Sequence, residues 1–101
     1  MTFVQREYKE KKIFMEKAVL IKNELGMHAR PAGVIAKIAN TAQNEVWLYV
    51  NSDKVDATSI IDILTLGAVK GTKVVIEIKN REDIMILNKL IDFFESGFGE
   101  R

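Results

Sequence analysis

The sequence contains no cysteine, which excludes a disulfide framework, thiol catalysis and thiolate ligation of a metal, and suits a reducing compartment. It has one proline and one histidine. A single imidazole, with no cysteine and no carboxylate cluster beside it, cannot close the coordination sphere of a metal, so neither a metal nor another cofactor is expected. No run of about 18 apolar residues could span a bilayer. The opening segment is broken by Arg6, Glu7, Lys9, Glu10, Lys11 and Lys12, which leaves no apolar core for a secretory signal; the protein is expected in the cytoplasm, without membrane insertion. An excess of one charge is lacking too. The 15 basic and 14 acidic residues give a net charge of +1, too weak a field to concentrate DNA or RNA, and no nucleic-acid partner is expected.

What is present suffices for one domain. The 101 residues, 48% hydrophobic and 29% charged, allow a single core. Residues 1–14 read as a polar N-terminal extension expected to be mobile, and residues 15–101 as the domain. Lys17 to Lys22 (KAVLIK) has strand character and is broken by Asn23-Glu24-Leu25-Gly26. A helix is predicted from about Arg30 to Thr41, with Pro31 in its first turn and Val34, Ile35, Ile38, Ala39 and Ala42 as its apolar stripe. Glu45 to Val50 (EVWLYV), the turn Asn51-Ser52-Asp53 and Lys54 to Ala57 read as a hairpin. Thr58 and Ser59 are good caps for a short helix that Gly67 can end in a left-handed conformation. Lys73 to Lys79 (KVVIEIK) alternates as a strand, with Val74, Ile76 and Ile78 on one face. Glu82-Asp83 opens a last helix with Ile84, Leu87, Ile91 and Phe94 as its buried stripe. The order is βαββαβα, an α+β fold with one sheet and its helices on one face.

The chemistry points to Gly26-Met27-His28-Ala29-Arg30-Pro31. A histidine beside a helix start is most often a cap or a solvated loop residue. Here, however, a helix N-terminus offers unpaired N–H donors and the positive end of a dipole to an oxyanion held at His28. Arg30 adds a guanidinium fork to the same anion. A neutral imidazole nitrogen is nucleophilic near neutral pH, and a phosphorus–nitrogen bond stays reactive enough for onward transfer.

The segment GMHARPAG closely resembles the active-site segment of the histidine-containing phosphocarrier proteins (HPr) of the sugar phosphotransferase system. Thr58 to Gly67 (TSIIDILTLG) resembles that family's regulatory-serine helix, and FESGFGE its C-terminus, so the likeness runs from about Glu16 to the end. The resemblance implies an open-faced β-sandwich with a four-stranded antiparallel sheet, order 1-4-2-3, and three helices on one face. It implies a phosphoryl carrier, not an enzyme: His28 would take phosphate on Nδ1 from phosphoenolpyruvate-dependent enzyme I and pass it to enzyme IIA domains, with Arg30 stabilising the phosphate. Ser59 matches a serine phosphorylated in many members by an HPr kinase/phosphorylase, a modification that recruits a transcriptional regulator; read from the residues, it is equally an N-cap. Asp62 departs from the usual glycine or lysine of the family and would repel a phosphate on Ser59.

A helix as short as the second cannot bury Ile60, Ile61 and Leu64 together, so these residues, with Met27 and with Lys37 supplying positive charge, form a candidate docking surface. Trp47 and Tyr49 read as sheet packing or sheet surface. A monomer is the default. Two alternatives to the sugar-pathway carrier stand: a regulatory protein of the same fold acting through Ser59 and partner binding, and a phosphocarrier of a nitrogen-regulatory branch.

Overall fold

A computed structural model of the protein describes the backbone of residues 4–7 and 13–100, and side chains from residue 15 to 100. Its elements are β1 (Val4–Glu7), β2 (Ile13–Leu20), α1 (Ala29–Ala39), β3 (Val46–Val50), β4 (Asp53–Asp56), α2 (Ile60–Thr65), β5 (Lys73–Ile78) and α3 (Ile84–Glu95), with single 3₁₀ turns at Arg81–Asp83 and Gly97–Gly99. Strands β2, β5, β3 and β4 lie side by side and antiparallel, which among these four is the expected order 1-4-2-3. Among the described residues no helix is long and apolar enough to cross a membrane.

Alternation along the strands builds the sheet's inner face. Val46 stands opposite Ile78, and Leu48 opposite Ile76, while Val19 stands opposite Val74; all six are buried. Directly opposed side chains share a face, so these pairs form continuous apolar rows. Onto the rows α3 places Leu87, Leu90, Ile91 and Phe94, and α1 places Pro31, Ala32, Ile35, Ala36 and Ala39. On the opposite face Trp47 and Tyr49 are half-buried, the sheet-surface role expected of them. The Lys54 ammonium lies 4.4 Å from the Trp47 ring centroid and 5.5 Å from that of Tyr49, within cation–π range.

Three expectations are corrected. The first domain strand begins at Ile13, not Lys17, and β1 pairs antiparallel along it, Val4 opposite Glu16 and Glu7 opposite Ile13. The segment assigned to a polar extension thus contributes a fifth, outermost strand; its pairing satisfies backbone groups of the β2 edge, a tertiary hydrogen bonding that local polarity does not encode. Residues 1–3 and 8–12 of that extension lie outside the described residues. The stripe of α1 is rotated from the one expected: Val34 is 36% exposed while Ala32 and Ala36 are buried, because small side chains let the helix sit close to its neighbours. The helix also stops at Ala39, where Asn40 folds its Nδ2 back onto the Ala36 carbonyl at 2.8 Å. Finally, Asp83 does more than place charge at a helix start. It is 2% exposed and accepts from the Gln43 and Asn44 amides, both at 2.9 Å, tying the exit of α1 to the entry of α3.

Within the six residues of α2, Ile63 is fully buried whereas Ile61 is 75% exposed. Ile63→Ala is therefore expected to cost about 2–5 kcal/mol in urea unfolding, and Ile61→Ala no more than about 0.5 kcal/mol. Equal costs for the two would show that α2 is docked in a different rotation.

Candidate functional site

Three stretches of chain converge on the single imidazole. The first is the loop after β2, where Gly26 takes a φ of 67°. A Cβ on that residue would lie 2.7 Å from the Ala68 carbonyl oxygen, closer than any side chain tolerates, and the next amide, Met27 N–H, donates to the same oxygen at 2.8 Å. Glycine lets this loop lie against the loop before β5. An ion pair between Glu24 and Lys70 joins the same two loops.

The second stretch is the start of α1. His28 is its N-cap, extended at φ −137° and ψ −176°, and its side chain makes no capping bond. Its carbonyl accepts from the Ala32 amide at 3.0 Å. Pro31 has no N–H, so the first turn leaves the Ala29 and Arg30 amides without a partner among the described residues. These two donors and the helix dipole define the mouth beside the ring.

The third is the C-terminal tail. Gly97, Phe98 and Gly99 all take left-handed φ values of 66°, 60° and 70°. For Phe98 this backbone is unfavourable by about 1–3 kcal/mol. Its ring offsets the strain by burial, 7% exposed, against Phe94 at 5.0 Å and Phe93 at 5.1 Å between centroids. Ser96 Oγ accepts from the Gly99 amide at 3.2 Å. The chain is thereby turned back so that Glu100 meets the loop after β2.

Glu100 Oε2 lies 2.6 Å from Nε2 of His28, the side chains being 14% and 28% exposed. Its other oxygen accepts from Asn23 Nδ2 at 2.7 Å. The Asn23 amide, and after it the hydrogen bond and charge of His28 and the charge of Arg30, hold the Glu100 carboxyl below its ordinary value of 4.5 against the opposing effect of desolvation. An ionised carboxylate only accepts, so Nε2 must carry the proton. On a ring that carries a single proton the lone pair is then on Nδ1, which has no hydrogen-bond partner among the described residues. Arg30 is exposed and lines an open cleft of about 300 Å³ with Glu24, Leu25, Phe98, Gly99 and Glu100.

The remaining candidates lie beyond this centre. Met27 is half-buried and packs on the core. Lys37 is exposed in the last turn of α1. On α2, Ile60 and Leu64 are 43% and 38% exposed, and Ile61 more so; Ile60 faces Gly33 of α1, its Cδ1 3.9 Å from where a Cβ would be. Ser59 caps α2, its Oγ accepting from the Asp62 amide at 3.2 Å. The signal that could have found Glu100 in the sequence was the pair of glycines around Phe98, which marks a tail that bends back.

An open-faced sandwich with a bare imidazole nitrogen at a helix mouth has the architecture of the histidine phosphocarriers. The family profile described as "PTS HPr component phosphorylation site" matches residues 15–96. The chain is 37% identical over 86 residues to the phosphocarrier protein HPr of Chlamydia pneumoniae, covering 85% of this chain and 80% of that protein. It is 40% identical over 84 residues to the phosphocarrier protein NPr of Proteus mirabilis, covering 81% and 92%. Among solved structures, an HPr from Thermoanaerobacter tengcongensis is similar at a TM-score of 0.76 and 36% identity, over 85% of this chain and 97% of that one. The chain belongs to the HPr family of phosphotransferase-system phosphocarriers.

The Glu100 carboxyl titrates lower in the folded protein than the ordinary 4.5. Its interactions therefore stabilise the fold fully above that pH, and the contribution is lost as the pH falls through the folded value. The stability gap between wild type and Glu100→Gln in urea unfolding is expected to be open at about pH 5.5 and to close toward about pH 3. A gap unchanged between the two would contradict the assignment.

Proposed function

We propose that His28 accepts a phosphoryl group on Nδ1 from enzyme I charged by phosphoenolpyruvate and delivers it to enzyme IIA domains in the cytoplasm. The observation that carries this reading is the division of labour on the ring: Nε2 is engaged by Glu100 and Nδ1 is bare, at the mouth of α1. In the forward step the Nδ1 lone pair attacks phosphorus, a nitrogen–phosphorus bond forms, and the bond from phosphorus to the donor's leaving atom breaks. The Nε2 proton stays where it is, so the phosphorylated ring becomes a cation, and the Glu100 carboxylate 2.6 Å away balances that charge. The Ala29 and Arg30 amides and the Arg30 guanidinium supply donors for the phosphoryl oxygens, whose charge spreads during transfer. In the onward step an acceptor nucleophile attacks phosphorus, the bond to Nδ1 breaks, and its electron pair returns to Nδ1, so the group that leaves is a neutral imidazole still protonated at Nε2.

The exposed residues Ile60, Ile61 and Leu64, with Lys37 and Arg30, form the docking face in this reading. Partners that alternate on one face need a modest interface that separates quickly, which an apolar patch rimmed by positive charge provides. Ser59 is assigned the role of helix cap. Its Oγ already serves the Asp62 amide, and a phosphate there would meet the Asp62 carboxylate in the same turn. The nitrogen-branch alternative draws support from likeness to the Proteus NPr; in either branch the chemistry at His28 is the same, and the partner determines the pathway.

Incubation with enzyme I and labelled phosphoenolpyruvate is expected to add one acid-labile, base-stable phosphate, absent in His28→Ala. Arg30→Ala should slow the labelling by about 10- to 100-fold. Label that survives His28→Ala, or that is acid-stable, would reject the carrier reading. Ser59→Ala should cost about 1 kcal/mol of stability and leave the labelling rate unchanged.

A further inference from the structure

Asn23 ends the path out of β2, and its side chain is almost wholly enclosed, the residue being 7% exposed. Its Nδ2 donates twice, to the Gly26 carbonyl at 2.9 Å and to Glu100 Oε1 at 2.7 Å. Both neighbours are acceptors only, so the amide can face them only with its NH₂ group. That orientation leaves Oδ1 buried with no hydrogen-bond partner among the described residues. A buried acceptor without a partner is destabilising, and a small apolar side chain at this position would avoid the loss. What the amide supplies, and an apolar residue does not, is a pair of donors. One holds the carbonyl two residues before His28; the other holds the carboxylate that holds the ring.

We propose that Asn23 is a positioning residue for phosphoryl transfer at His28, its Nδ2 fixing Glu100 Oε1 so that Oε2 remains on Nε2 and Nδ1 remains the bare, attacking nitrogen. The inference rests on the carrier reading and adds to it a residue that touches neither the ring nor the phosphoryl group. Glu100 stands beyond the last aromatic anchor of the tail, Phe98. Without Asn23 its side chain has no second hold and is free to swing into the cleft beside Arg30. The Asn23 bond is also the largest of the influences that keep Glu100 ionised, as a residue that maintains an acceptor should be. The arrangement concentrates an unsatisfied polar atom and a strained phenylalanine around one imidazole, a pattern that core packing alone does not call for.

The test uses the full chain in three forms: wild type, Asn23→Ser and Asn23→Asp. Serine is too short to reach Glu100, and aspartate sets two carboxylates against each other. Proton NMR at low temperature is expected to show the His28 ring Nε2–H as a protected downfield resonance in wild type, absent in both variants. The initial rate of labelling by enzyme I and phosphoenolpyruvate should fall about tenfold or more in both variants. If Asn23→Asp fails to fold by its amide spectrum, Asn23→Ser carries the comparison. Folded variants that keep the resonance, or that lose it yet are labelled at the wild-type rate, would overturn the proposal. A wild type that takes up no phosphate would sink the carrier reading instead, and the resonance would then decide separately whether Asn23 holds the ring.

Discussion

A carboxylate has no proton to give, and Glu100 Oε2 stands 2.6 Å from Nε2 of His28, so Nε2 is committed as a donor, and a ring with one proton keeps its lone pair on Nδ1. Nearly everything distinctive about the molecule follows from making that contact possible. The two residues are 72 positions apart and are brought together only when the sheet, α3 and the tail are all in place. The tail must reverse direction within a few residues, which it does through three consecutive left-handed backbones. The cost of forcing Phe98 into that conformation is offset by its packing against Phe93 and Phe94. The core thus supports the His28–Glu100 contact through one aromatic ring.

The same economy governs the other side of the centre. Gly26 admits the Ala68 carbonyl at a distance no side chain would permit, which sets the loop height and so the entry of α1. Pro31 removes one amide from the first turn at no loss, since that amide would have had no helical partner. The donors left over, on Ala29 and Arg30, follow His28 directly in the chain. A phosphoryl carrier must bind its cargo firmly enough to protect it and loosely enough to release it. In the proposed carrier role, two main-chain donors and one exposed guanidinium would make a modest cage, and modesty would serve release.

Family membership and local departures can be read together. The four-stranded sheet and the three helices on it are those of the HPr relatives, and the added strand β1 extends the sheet on the side away from β4. On α2, Asp62 enters the first turn behind Ser59, where a carboxylate favours the helix dipole and disfavours a second anion.

Much of this was legible in the residues themselves. Alternation in KVVIEIK and EVWLYV, the Asn51-Ser52 turn, the capping Ser59 and the glycine at 67 are local signals, decided by backbone sterics and by the period of the elements, and they yielded the element order and the sheet. The placement of His28 and Arg30 at a helix start was legible because their motif sits at a strand-to-helix break. The strand Val4–Glu7, the rotation of α1 that exposes Val34, and the buried tie of Asp83 were not, since each depends on partners remote in sequence. Glu100 and Asn23 belong to the same group. By itself the sequence determined which chemical groups exist and which elements carry them; only the tertiary structure decided which ring nitrogen is free, because a hydrogen bond between residues 72 positions apart depends on distance in space, and local propensity has no access to that.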